Sequence, residues 1–146
     1  MSMGGRLQGL YFCLFVTVTI CLVSCRENNA EIYLKRLGIE ANERYSQYVI
    51  VLDYGCHTCK DRFYEYVITD WPESSALVFK RRPDKATLKG FPELFERGFV
   101  FVDSLDTSFE LGLTDKNTEM TLIKKGKVTH YTFLEYINLI EELERN

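Results

Sequence analysis

The sequence predicts an α/β protein in which helices cover both faces of a central sheet with parallel strands. Three short apolar runs, at 47–53, 75–79 and 98–103, alternate with segments whose apolar residues recur at helical spacing. Such runs are typical of strands buried on both faces, as parallel strands are. Two further runs flank a Lys-Gly turn at 125–126 and predict a closing β-hairpin, which an amphipathic C-terminal helix follows.

The helical segments are predicted from the spacing of their apolar residues. Residues 30–45 have this spacing, residues 84–97 have it with a break at Gly90 and Pro92, and 105–112 predicts a short turn or helix. The two clearest apolar faces are Phe63, Tyr66, Val67 and Trp71 before Pro72, and Phe133, Tyr136, Ile137, Ile140 and Leu143 within 133–144. These faces are expected to pack on the sheet.

The amino end has the pattern of a targeting segment. Arg6 precedes an apolar run with the length of a signal-peptide core, and the run ends in Leu-Val-Ser-Cys at 22–25. These four residues resemble the bacterial lipoprotein signal, which implies cleavage after residue 24 and lipid on Cys25. The prediction is a signal peptide at 1–24, a lipidated tether at 25–31 and one domain at 32–146. The alternative is an uncleaved membrane anchor of borderline length.

Either alternative places the domain outside the cytoplasm and tied to a membrane, and the lipoprotein signal implies the periplasmic side of a bacterial cell envelope. Cleavage would remove Arg6 and change the formal net charge from -3 to -4. No basic surface is therefore expected for nucleic acid, and a hydrophobic content of 46% fits an ordered globular domain.

Under this prediction, only two of the five cysteines remain as free thiols in the mature chain. Cys13 and Cys21 would leave with the signal peptide, and lipid would block Cys25. Cys56 and Cys59 could then form a disulfide only with each other in an oxidising compartment. Because that bridge closes a very small loop, it would constrain the unfolded chain little. Redox chemistry explains the pair better than structural stabilisation does.

The Cys-His-Thr-Cys motif at 56–59 stands where the first strand ends and a helix begins. A helix N-terminus carries partial positive charge and free backbone N–H groups, and both stabilise a thiolate. The order of the elements around this motif resembles the thioredoxin-like superfamily. The additional strand at 99–103, with 110–113 after it, and the hairpin at 121–128 resemble the envelope-anchored, TlpA-type members.

This resemblance implies roles for individual residues. Cys56 would be the exposed nucleophile and Cys59 the resolving thiol, and the pair would exchange disulfides with protein substrates and a redox partner protein. His57 would tune the Cys56 thiolate or else be an ordinary exposed residue, and Lys60 would add a cation that projects into water. Asp53 would relay a proton to the dithiol or else cap its own turn. No cofactor is implied.

The sequence departs from the family pattern at the loop that faces the dithiol. The family usually has a cis-proline there, and Met120 occupies the corresponding position, with Thr121 after it. Met120 and Thr121 are thus the expected substrate loop, with a trans peptide bond because a cis bond before a residue other than proline is costly. Gly55 also stands where an aromatic residue is common.

Two other uses of the CxxC motif fit the sequence less well. A c-type haem site would need histidine where Lys60 stands, and a structural zinc site would need ligands beyond His57 and His130. No metal site is therefore predicted, and His130 is expected to be an ordinary strand residue. The remaining alternative to an oxidoreductase is a non-catalytic thioredoxin-like lipoprotein that acts as an interaction module, which the missing proline favours.

Overall fold

A computed structural model describes residues 29–39 and 44–145 of the chain. Its centre is a five-stranded sheet with the order β3-β2-β1-β4-β5. The strands are β1 Gln47–Val51, β2 Ser75–Phe79, β3 Val100–Val102, β4 Met120–Lys124 and β5 Lys127–Tyr131. Strands β1, β2 and β3 are parallel, whereas β4 pairs antiparallel with both β1 and β5. The predicted mixture of parallel strands and a closing hairpin is therefore confirmed.

Helices connect and flank these strands. The helices are α1 Asn29–Arg36, α2 His57–Thr69, α3 Lys85–Gly90, α4 Thr107–Glu110 and α5 Tyr136–Glu144, with 3-10 turns at Pro92–Glu96 and Phe133–Glu135. The break expected within 84–97 lies between α3 and the first 3-10 turn, as the proline predicted. The C-terminal helix is confirmed, and its 3-10 entry is fixed by a capping box between Thr132 and Glu135.

The two faces of the sheet pack against different elements. All five residues of β1 are buried, and the side chains of the last four alternate between two apolar clusters. Val49 and Val51 join the cluster that includes α2 and α5, while Tyr48 and Ile50 join the cluster that includes α1. This two-sided burial explains why β1 and β2 read as continuous apolar runs rather than as alternating ones.

Two predicted helix faces need correction. In α5, Ile137 is 55% exposed, whereas Leu139, which was not predicted, is fully buried. The 3-10 turn before α5 has fewer residues per turn than an α-helix, so it rotates the buried face of the helix that follows. In α2, Tyr64 is fully buried and Tyr66 only partly.

The amino-terminal boundary also differs from the prediction. Helix α1 begins at Asn29, within the expected tether, and the side-chain amide of Asn29 donates to the carbonyl of Leu111 at 3.0 Å. Tyr33 in the same helix is fully buried, so the folded part includes residues 29–31. The helix ends at Arg36, before a turn with Gly38 at φ +68°, although helix was predicted to residue 45. The predicted signal segment and Cys25 lie outside the described residues.

Within residues 29–39 and 44–145, no helix has the length and apolar character that crossing a membrane requires.

Candidate active site

The dithiol lies at the N-terminus of the 13-residue helix α2. Cys56 is the N-cap residue with an extended backbone, and its carbonyl accepts the first helical hydrogen bond from the N–H of Lys60 at 3.0 Å. Cys56 is exposed, while Cys59 is half-buried and packs against the core cluster of α2 and α5. Both cysteines carry free thiols, and only one of them is open to a large partner.

The two thiols differ in their acidity. The pKa of Cys56 is lowered, first because the backbone N–H of Cys59 donates to its sulfur, and then because the Cys59 thiol and the N–H of Thr58 also donate. The pKa of Cys59 is raised, mainly because its thiol proton is held by Cys56 and also because the thiol is desolvated. The exposed sulfur is therefore the better nucleophile, and the half-buried sulfur keeps its proton.

Gly55 allows the chain to enter this helix. Its φ of +111° lies in a region that residues with a Cβ rarely adopt. A Cβ added to Gly55 would lie 2.6 Å from Oε1 of Glu119 and 3.6 Å from the ring of Phe133. Glycine suits this position because its φ lies in the region that glycine favours and because a Cβ would crowd the Glu119 carboxylate.

Glu119 is the functional residue that the sequence prediction missed. It directly precedes β4, and because β4 runs antiparallel to β1, this point lies beside the carboxyl end of β1. One carboxylate oxygen accepts a hydrogen bond from the N–H of Phe133 at 2.6 Å. The negative charge opposes the lowering of the Cys56 pKa and makes a minor contribution to the raising of the Cys59 pKa. The signal available in the sequence was only an acidic residue just before the hairpin.

Met120 and Thr121, the predicted substrate loop, lie in a strand, and their contact with a substrate stays a prediction. Both are fully buried residues of β4, paired in register with Val51 and Ile50 of β1. Glu119, directly before β4, is the partly buried residue of this segment whose charge acts on both thiols. The described part of the chain contains no cis peptide bond, in agreement with the prediction for Met120.

The expectation that Lys60 projects into water is wrong. Lys60 is 2% exposed, and its ammonium lies 2.9 Å from Oδ1 of Asp53 and 3.6 Å from Oδ2 of Asp84. A buried lysine needs such partners because its charge would otherwise be desolvated without compensation. Position 60 faces the end of β1 because it lies one helical turn after Cys56.

Asp53 joins three elements through one carboxylate. It accepts hydrogen bonds from the Tyr64 hydroxyl at 2.9 Å, the N–H of Asp84 at 2.8 Å and the Thr87 hydroxyl at 3.0 Å. These partners belong to α2 and to the start of α3, so Asp53 does not serve as a cap of its own turn. Its proposed exchange of protons with the dithiol stays a prediction.

The two histidines lie in different elements, and the predicted tuning of the Cys56 thiolate by His57 stays a prediction. His57 is the first residue of α2 and is exposed, and His130 lies in β5 with its Nδ1 3.0 Å from the Thr121 hydroxyl. His130 is thus a strand residue, as expected. Among residues 29–39 and 44–145, no group of three or more His, Cys, Asp or Glu side chains is arranged to hold a metal ion.

Comparisons of the chain with protein-family models, with curated proteins and with solved structures found no match. The function of this chain is therefore inferred from the geometry and chemistry of the dithiol end.

Proposed function

We propose that this chain is a membrane-tethered, extracytoplasmic thiol-disulfide oxidoreductase with a thioredoxin-like fold. The strand order β3-β2-β1-β4-β5 supports this fold, because the dithiol follows a central parallel strand and the chain closes with an antiparallel hairpin and a helix. The tether would be lipid on Cys25, as the resemblance to a lipoprotein signal implies.

The observation that carries the proposal is the asymmetry between Cys56 and Cys59. An exposed thiol with a lowered pKa and a half-buried thiol with a raised pKa, both at a helix N-terminus, match the needs of a nucleophile and a resolving group. A purely structural cysteine pair needs no such difference.

The reaction proceeds in two exchanges. The Cys56 thiolate attacks one sulfur of a substrate disulfide, the substrate S–S bond breaks, and the departing sulfur takes a proton from solvent. Cys59 then loses its proton and attacks the sulfur of Cys56, which releases the second substrate thiol. The substrate gains two electrons and two protons, and the protein is left with a Cys56–Cys59 disulfide that a redox partner protein must reduce. The reverse sequence oxidises a substrate dithiol.

The test is reduction of insulin disulfides by the purified full-length protein with dithiothreitol as the electron source. We expect turnover by the parent protein and by Thr58→Ser, which keeps both thiols, and none above the protein-free rate by Cys56→Ser. Cys59→Ser should accumulate a mixed disulfide with insulin, visible by mass spectrometry. Equal rates for the parent and Cys56→Ser would refute the proposal.

A second candidate, a non-catalytic interaction module, is favoured by one observation. Glu119 places a carboxylate against Gly55 and makes both thiols less acidic than they would otherwise be. In that case Cys56→Ser would leave both insulin reduction and partner binding unchanged. Lipid attachment is tested separately, by metabolic labelling with palmitate in bacteria that express the parent chain or Cys25→Ala.

A further inference from the structure

A cavity of about 600 Å³ opens beside the dithiol end of the sheet. Its walls include Leu52, Tyr54, Glu119, Arg81, Arg82 and Lys116. Tyr54 lies two residues before Cys56, and the Glu119 carboxylate lies close to Gly55, so two wall residues of the cavity are next to the segment that leads to the nucleophile. Tyr54 is 75% exposed and offers a partner both a ring face and a hydroxyl.

The acidic groups of the cavity wall are already engaged by other groups of the protein. Asp53 and Asp84 both lie against the ammonium of Lys60, and Asp84 also accepts from the N–H of Thr87 at 2.7 Å. That hydrogen bond is the main reason why the pKa of Asp84 is lowered. Glu119 accepts from the N–H of Phe133. Asp53 and Asp84 are thus paired with Lys60, whereas Glu119 has a hydrogen-bond donor but no cation within 4.0 Å among the described residues.

The basic groups of the same wall are exposed to solvent. Arg81 forms one ion pair, with Asp106 at 3.2 Å, and its side chain remains 67% exposed. In the described part of the chain, no carboxylate lies within 4.0 Å of Arg82 or Lys116, and both are exposed. The open side of the cavity thus presents guanidinium and ammonium groups without carboxylate partners.

We infer that this cavity receives a carboxylate-bearing segment of the substrate, so that the preferred substrates are peptide or protein disulfides flanked by Asp or Glu. The inference rests on the proposed oxidoreductase function and names its substrate class. The chain as a whole has a net charge of -3 and repels acidic partners at long range. The preference therefore depends on the local contacts with Arg82 and Lys116, and it weakens with salt.

The test uses three disulfide-linked peptide dimers that differ only in the residues on either side of their single cysteine, which are Glu, Gln or Lys. The rate at which the fully reduced full-length protein reduces each peptide is divided by the rate for dithiothreitol with the same peptide. This ratio removes differences in the intrinsic reactivity of the three disulfides. We expect the Glu peptide to exceed the Gln peptide by about tenfold at low ionic strength, and the Lys peptide to be slowest.

Charge reversal identifies the residues responsible. The double variant Arg82→Glu, Lys116→Glu should lose the preference for the Glu peptide over the Gln peptide, measured as the ratio of their two rates. Lys35→Glu, Lys127→Glu changes the net charge equally at exposed positions that do not line the cavity, and it should keep the preference.

The outcomes separate the two proposals. Equal rates for all three peptides, each well above that of Cys56→Ser, would overturn the inference and leave the oxidoreductase function standing. The inference would also be overturned, with the function again standing, if both double variants kept or lost the preference alike. No reaction of the parent protein with any peptide would overturn both proposals.

Discussion

The start of α2 contains two chemical environments within five residues of each other. At its tip, Cys56 is exposed, and the groups that donate to its sulfur come from Thr58 and Cys59 of its own helical turn. One turn further, Lys60 is buried against Asp53, which also accepts three hydrogen bonds from α2 and the start of α3. The first environment can change its protonation and bonding, whereas the second is saturated with partners.

The difference indicates that the two environments have different roles, reactivity at Cys56 and stability at Lys60. A buried ion pair adds little net stability relative to an apolar pair, but removal of one partner is strongly destabilising because the other charge stays buried. The network between Asp53 and Lys60 therefore fixes where α2 begins relative to β1 and α3. At the tip, Cys59 packs against the core cluster, while Cys56 is exposed and its sulfur accepts hydrogen bonds from its own helical turn. Substitutions of Lys60, Asp53, Gly55 and Glu119 test this comparison, taken from the largest expected effect to the smallest.

Lys60→Met should have the largest effect on stability. It leaves the Asp53 carboxylate buried without its cation, and we expect the free energy of unfolding to fall by about 3 kcal/mol. The measurement is equilibrium urea denaturation at pH 7 of the reduced protein, followed by tryptophan fluorescence. The matched control is Lys89→Met, an exposed lysine in α3, which should be close to neutral.

The double variant Asp53→Asn, Lys60→Met separates charge from packing. Because neither partner then remains charged, it should lose less stability than the sum of the two single variants. Additive losses would contradict the assignment of an ion-pair network. The rate of Cys56 alkylation in the double variant would further show whether the reactivity of the thiol depends on the ion pair between Asp53 and Lys60.

Gly55→Ala should have an intermediate effect on stability. Alanine is strained at φ +111°, and its Cβ would meet the Glu119 carboxylate at 2.6 Å. We expect a loss of about 2 kcal/mol in the same denaturation experiment. The control is Gly98→Ala, since no atom lies within 4 Å of a Cβ placed there and its φ is not in the positive region. Equal stabilities of the two variants would contradict the close approach of Glu119 to Gly55.

The elements that the sequence predicted best are those with a local signal. The run at 75–79 predicts β2 with its correct ends, because a short apolar run bounded by turn residues is typical of a strand buried on both faces, and all five residues are buried. The hairpin was predicted from its Lys-Gly turn. In the structure, Lys125 at φ +50° and Gly126 at φ +73° adopt the left-handed region. Both signals are independent of the rest of the fold.

The features that were missed depend on which segments meet in space. Lysine is usually a surface residue. The burial of Lys60 depends on the carboxylates of Asp53, after the end of β1, and of Asp84, before α3. Glu119 is 63 residues from Cys56 in the chain, and it reaches the dithiol because β4 inserts beside β1. No periodicity in one segment carries this information, since it requires the pairing of β1 with β4.

Glu119→Gln tests the tip of α2 and should have the smallest effect, on reactivity rather than on stability. The Glu119 charge raises the pKa of Cys56, so its removal should lower that pKa further and increase the thiolate fraction at neutral pH. The pH profile of Cys56 alkylation by iodoacetamide should then move to lower pH, with the rate at pH 7 raised about threefold. Glutamine can still accept the hydrogen bond from Phe133.

The readout for this variant is peptide-resolved mass spectrometry, which separates Cys56 from the other cysteines. The control Glu73→Gln removes the same charge at an exposed turn before β2 and should leave the profile unchanged. Because a more stable thiolate favours the reduced form, the Cys56–Cys59 couple of Glu119→Gln should also become more oxidising. A profile that moves to higher pH, or moves equally in both variants, would mean that Glu119 does not act on the thiol. The acidity of Cys56 would then be set within its own helical turn, by the N–H groups of Thr58 and Cys59.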